Sequence, residues 1–177
     1  GPTAIPALRE YYKNPKSKEQ VRAYALEAIY RIAKTDATRS EIREACLKDK
    51  DVRFRASCYM MMGRTKDVAF RDVYLKAINT PTENAGVQVM SAMGLSILGD
   101  RHGYNRALQS IQKPDGWQDF GMMTLEFLKA REALPILEST LKGTTNYSII
   151  NSCRLATLRL NLIDKDTAGQ IDLLEQA

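Results

Sequence analysis

Five segments of this chain carry one small-residue pattern at one spacing. With Val21, Val52, Val87, Trp117 and Ile149 as position zero, position plus four holds Ala25, Ala56, Ser91, Gly121 and Cys153, all small. Position plus eight holds Ile29, Met60, Leu95, Leu125 and Thr157. The anchors lie 30–35 residues apart, a period that belongs to stacked helical repeats. In such arrays each unit buries its apolar face only against its neighbours, so one elongated domain is expected over 1–177.

The anchored segments read as the second helix of each hairpin. Val21, Ala25, Ala28, Ile29 and Ile32 fall on one helical face, as do Val87, Ser91, Gly94, Leu95 and Leu98. Small residues at plus four let a neighbouring backbone come close, so these five positions are expected to be buried at helix contacts. Ser17 with Gln20 has capping-box spacing, and Asp49, Thr82, Asp115 and Asn146 are cap-type residues ahead of the other anchors. Shorter amphipathic segments lie between, such as Phe70, Val73, Tyr74, Ala77 and Ile78. Pro6 and Pro135 sit in first turns, where the missing N–H costs nothing. No stretch alternates long enough to be a strand, so the chain reads as all-α. The hairpins span about 4–36, 37–66, 67–99, 100–129 and 130–164, with a half repeat over 167–177.

The residues resemble a known family. Ala4-Ile5-Pro6-Ala7-Leu8 and Ala133-Leu134-Pro135-Ile136-Leu137 look like the opening helix of HEAT-like repeats of the phycobilisome-lyase type. Asp51-Val52-Arg53 with Ala56, and Leu98-Gly99-Asp100, are similar to the second-helix signature of that family. The resemblance covers nearly the whole chain and implies a right-handed α-solenoid of about five antiparallel helix pairs plus a final helix. It is specific for fold and weak for activity, since such repeats serve many functions. It would permit bilin handling or base-excision chemistry. No residue cluster is assignable to a tetrapyrrole, and Trp117 near Asp119 reads as structural, its bulk filling the gap left by Gly121.

Chemistry needs groups that converge. The chain has one histidine, His102, in a turn, and three scattered cysteines, Cys46, Cys58 and Cys153, which read as buried thiols. No phosphate-cradling glycine loop is present. No catalytic residue, metal site or cofactor is therefore expected. No apolar run approaches the roughly 20 residues that span a bilayer, so no membrane partner is expected either. A cytoplasmic location fits the reduced cysteines.

In HEAT-like arrays the second helices line the concave side. The ridge opposite the presumed core face, at plus one, two, five and nine, includes Tyr30, Phe54, Met61, Val89, Met122 and Arg154. It is apolar for a solvent-facing ridge, and such surface marks an interface. The leading expectation is a non-catalytic scaffold that binds a protein or peptide there. Arg22 and Arg53, one residue past their anchors, are expected to tie repeats together through acids, as such arginines do in that family. Arg55 is expected to find Asp51, Asp67 or Asp72.

The alternative is nucleic-acid binding. Residues 1–76 hold 17 Lys/Arg against 10 Asp/Glu, whereas residues 77–177 hold 9 against 11. Arg9, Lys13, Lys16, Lys18, Lys34, Arg39 and Arg43 belong to that basic half. Gly1-Pro2 looks like the remnant of a removed tag. Neither end shows an obviously polar capping helix, so the chain is expected to be a piece of a longer protein. Ile5, Leu8, Ile171 and Leu174 would then leave uncovered faces and allow end-to-end self-association.

Overall fold

A computed structural model describes residues 1–113, 116–163, 165 and 170. Among them lie ten α-helices and no strand. They are α1 (Ile5–Lys13), α2 (Glu19–Ile32), α3 (Asp36–Lys48), α4 (Val52–Thr65), α5 (Arg71–Ile78), α6 (Ala85–Ile97), α7 (Tyr104–Gln112), α8 (Gln118–Phe127), α9 (Leu134–Gly143) and α10 (Tyr147–Leu162). The all-α reading stands. The half repeat expected over 167–177, with Ile171 and Leu174, lies outside the described residues but for Gln170.

Local chemistry starts these helices. Asp51 caps α4 by accepting from the Arg53 and Phe54 N–H groups at 2.9 and 3.2 Å. Asn84 caps α6 and Asn146 caps α10 in the same way. Thr35 caps α3 through the Thr38 N–H. Pro6 and Pro135 do sit in first turns. The Ser17–Gln20 capping box does not form: Lys18 is the residue at the start of α2, and no side chain caps it.

Each even-numbered helix packs on the odd helix before it and on the next even helix, α2 on α4, α4 on α6, α6 on α8 and α8 on α10. The core runs as two clusters, one from Tyr12 to Leu95 and one from Ala107 to Leu160. Trp117 and Phe120 of α8 pack on the first. The small residues at plus four are all buried, as the pattern requires. Helices α4 and α6 meet where a Cβ on Gly63 would stand 3.0 Å from the Gly94 backbone. Gly94 in turn receives the ring of Tyr74: a Cβ there would lie 2.6 Å from it.

The solvent-facing ridge is where expectation and structure part. Tyr30, Phe54, Met61, Val89 and Met122 are each at most 2 % exposed and belong to the core, not to a binding surface. The reason is the number of neighbours. An even helix has its own partner on one side and even helices on two others, so its apolar face wraps nearly around it. A strip beside four of the five anchors stays open: Val21 is exposed, Val52, Trp117 and Ile149 are half-buried, and Val87 of α6 is buried. Trp117 also departs from expectation. It begins α8, and its ring lies on Gly86 of α6. The space at Gly121 is occupied by Ser110 and the Ala107 carbonyl instead.

Candidate functional site

The open strip deepens into a groove of about 300 Å³ across four even helices. Glu19 and Gln20 of α2 stand at one edge, and Trp117 and Phe120 at the other. Val52, Arg53, Ala56, Ser57 and Met60 of α4 form the floor, with Asn84 and Met90 from the α6 side. Trp117 and Phe120 form a tilted aromatic pair with ring centres 5.6 Å apart. The anchor face therefore lines an opening, while the face expected to be open is core.

The arginines show why one groove residue stands out. Most are tied to an acid roughly one repeat away. Arg9 pairs with Glu41 at 2.8 Å, Arg39 with Asp67 at 2.7 Å and Arg71 with Asp100 at 2.6 Å. Arg101 continues the series to Glu132, and Arg159 reaches back to Glu126 at 2.7 Å. Arg55 takes Glu83 at 2.8 Å rather than Asp51, Asp67 or Asp72. Arg22 meets the expectation: it is buried, joined to Asp49 at 2.7 Å and to the Tyr12 carbonyl at 2.6 Å. Arg53 does not. It is exposed in the groove, and its guanidinium makes no hydrogen bond or ion pair with a described residue. Arg154 is the other such arginine; it is exposed on α10 and does not line the groove.

The same ladder uses up much of the basic half. Arg9 and Arg39 are in ion pairs, and Arg43 donates to the Ala69 carbonyl. Lys13 and Lys34 lie beside the rings of Tyr12 and Tyr30. A wider cleft of about 780 Å³ is lined by residues of α1 and α3. Its charges answer one another: Arg9 with Glu41, Lys48 with Glu44 at 2.8 Å, and Arg22 with Asp49.

Ionisation follows these contacts. Burial works against the Asp67 carboxylate, but hydrogen bonds from Tyr30, Arg39 and the Ala69 N–H outweigh it and hold its pKa down at about 2. Asp100 is lowered in the same way: burial opposes ionisation, and His102 and Arg71 overcome it. Burial pushes the Cys46 thiol well above its usual range and raises Cys153 as well, which keeps both protonated and unreactive. His102 is an exposed turn residue against Asp100. Among the described residues no group of three or more His, Cys, Asp or Glu is placed to hold a metal ion, and no helix is long and apolar enough to cross a membrane.

No known protein-family model matches the chain, and no curated protein matches it. The groove was missed in the sequence because its lining comes from four helices and each contributes only two to five residues. Spacing gave no sign that Arg53 is unpaired: Glu83 lies 30 residues past it, inside the 27–32 spacing that serves Arg9, Arg22, Arg39, Arg55 and Arg71, but the structure gives Glu83 to Arg55.

Proposed function

We propose that this chain is a right-handed α-solenoid of HEAT-like helix pairs that works as a non-catalytic scaffold, holding a protein or peptide segment in the groove across its even helices. The stacking of each even helix on the next supports the solenoid. One observation carries the function: a single opening draws Met60, Met90, Trp117, Phe120 and the unpaired Arg53 together from α4, α6 and the start of α8. Half-buried aromatic and methionine surface lining an opening beside a free arginine has the composition of protein interfaces. The buried thiols suit a reducing compartment such as the cytoplasm.

Partner recovery by the immobilised wild type is compared with two variants. Ser57→Trp fills the groove, and Met60→Glu puts a charge in it. Both side chains are only half-buried, so both variants should keep the helical circular dichroism spectrum. Partner recovery should fall with each. Equal recovery by all three proteins would remove the groove as the binding surface.

A further inference from the structure

The groove's chemistry narrows its occupant, on the reading that the groove is the binding surface. We infer that it receives a short acidic–apolar peptide segment: one carboxylate pairs with Arg53, and a neighbouring large apolar side chain sits among Met60, Met90, Trp117 and Phe120.

Charge complementarity carries this. The fold answers its arginines with acids from the adjoining repeat, six times over between Arg9 and Arg159 by direct ion pairs at 2.6–2.8 Å. Arg53 stands one residue past the α4 anchor, the same position as Arg22, yet no described acid meets it. Its exposure leaves the guanidinium free to form two parallel hydrogen bonds with a carboxylate. Beside it lies apolar surface with an aromatic pair at 5.6 Å, room for an anchoring side chain within about 300 Å³.

A nucleic acid is the poorer fit. A polyanion needs several free cations along its path. This groove offers Arg53 alone, and Glu19 on its edge repels a second phosphate. A segment with one or two carboxylates and an apolar anchor uses what the groove has.

The test is a display selection of random twelve-residue peptides on the folded chain, followed by fluorescence anisotropy with the enriched peptides. Enriched sequences should hold Asp or Glu close to an aromatic or large aliphatic residue. Arg53→Glu should weaken them about tenfold or more, and changing the peptide's acid to Lys should restore binding to that variant. Lys76→Glu, an equal charge change on exposed α5 surface, should leave binding unchanged. Peptides without an acidic excess, lost on Met60→Glu but indifferent to Arg53→Glu, would overturn the acidic partner and leave the groove standing. Peptides indifferent to Met60→Glu and Ser57→Trp, or no enrichment at all, would overturn the groove itself. Binding of a generic single-stranded DNA oligonucleotide that falls steeply with salt and depends on Arg53 would replace the peptide by a polyanion.

Discussion

Replacing Arg22 with methionine should destabilise the chain by about 2–4 kcal/mol, and the structure shows how that figure arises. The guanidinium is 4 % exposed and stands 3.7 Å above the centre of the Phe54 ring. Its Nε donates to the Tyr12 carbonyl at 2.6 Å, and a terminal nitrogen donates to Asp49 at 2.7 Å. A net hydrogen bond to a charged group is worth about 1.5–3 kcal/mol. The stacking on Phe54 adds roughly 0.5–2 kcal/mol. Two effects reduce the sum. Methionine keeps an apolar stem against Phe54. Asp49 is 23 % exposed and regains water once its partner is gone. For a chain of this size the loss lowers Tm by about 5–15 °C. Arg22→Lys keeps the charge but not the flat plate or both donors, and should cost roughly half as much. Combining Arg22→Met with Asp49→Asn should reveal a coupling of about 1–2 kcal/mol in a double-mutant cycle. The pair is largely buried, so about 1 M NaCl should leave the difference in place. Thermal and urea melts followed by circular dichroism read all of this. A melting point for Arg22→Met within about 2 °C of wild type would refute the reasoning.

Phe54→Asp and Met122→Asp each bury a charge in the core and should cost more than about 4 kcal/mol, seen as lost helical signal; a native-like melt would return these residues to the surface. Gly94→Ala places a Cβ 2.6–3.0 Å from the buried Tyr74 ring and should cost about 1–3 kcal/mol, so an unchanged urea midpoint would refute that packing. Ala56→Leu, by contrast, can grow toward the open groove; its cost should stay below about 1 kcal/mol, while partner recovery falls. Acid should weaken the repeat contact at Asp67. Its folded pKa of about 2 lies below the ordinary 3.8, so its stabilisation is complete above pH 3.8 and is lost as pH falls toward about 2. Urea unfolding across that window should show a slope that Asp67→Asn flattens; an equal slope in both proteins would refute the linkage.

Several features were readable without coordinates because they depend on a few consecutive residues. Helix period, the prolines of first turns and the Asn146 cap are local matters, and each is realised. The small residue at plus four is nearly local too. A neighbouring helix comes close at that position wherever it comes from, so Ala25, Ala56, Ser91, Gly121 and Cys153 are all buried, Ala56 with one edge on the groove. That Arg22 would meet an acid was expected from the family resemblance; that the acid is Asp49, and that the Arg53 guanidinium in the same position meets none, was not.

Tertiary structure decided which side of the even helices is open. Periodicity measures how one helix differs around its own circumference. It loses meaning when neighbours stand on three sides, as for α6, which has no charged residue and buries ten of its thirteen. Tyr30, Phe54, Met61, Val89 and Met122 satisfy an apolar ridge on either face, and the sequence pattern could not choose between them. The absence of charge along α6 was the available sign that no face of it is free. Pairings such as Arg55 with Glu83, and the docking of Trp117 on Gly86, depend on how far successive pairs are shifted and turned. Residue types and spacing within the chain determined that helices form and where they touch closely. The groove, with Arg53 left unpaired inside it, comes from the relative placement of α2, α4, α6 and α8, which only packing among all four can set.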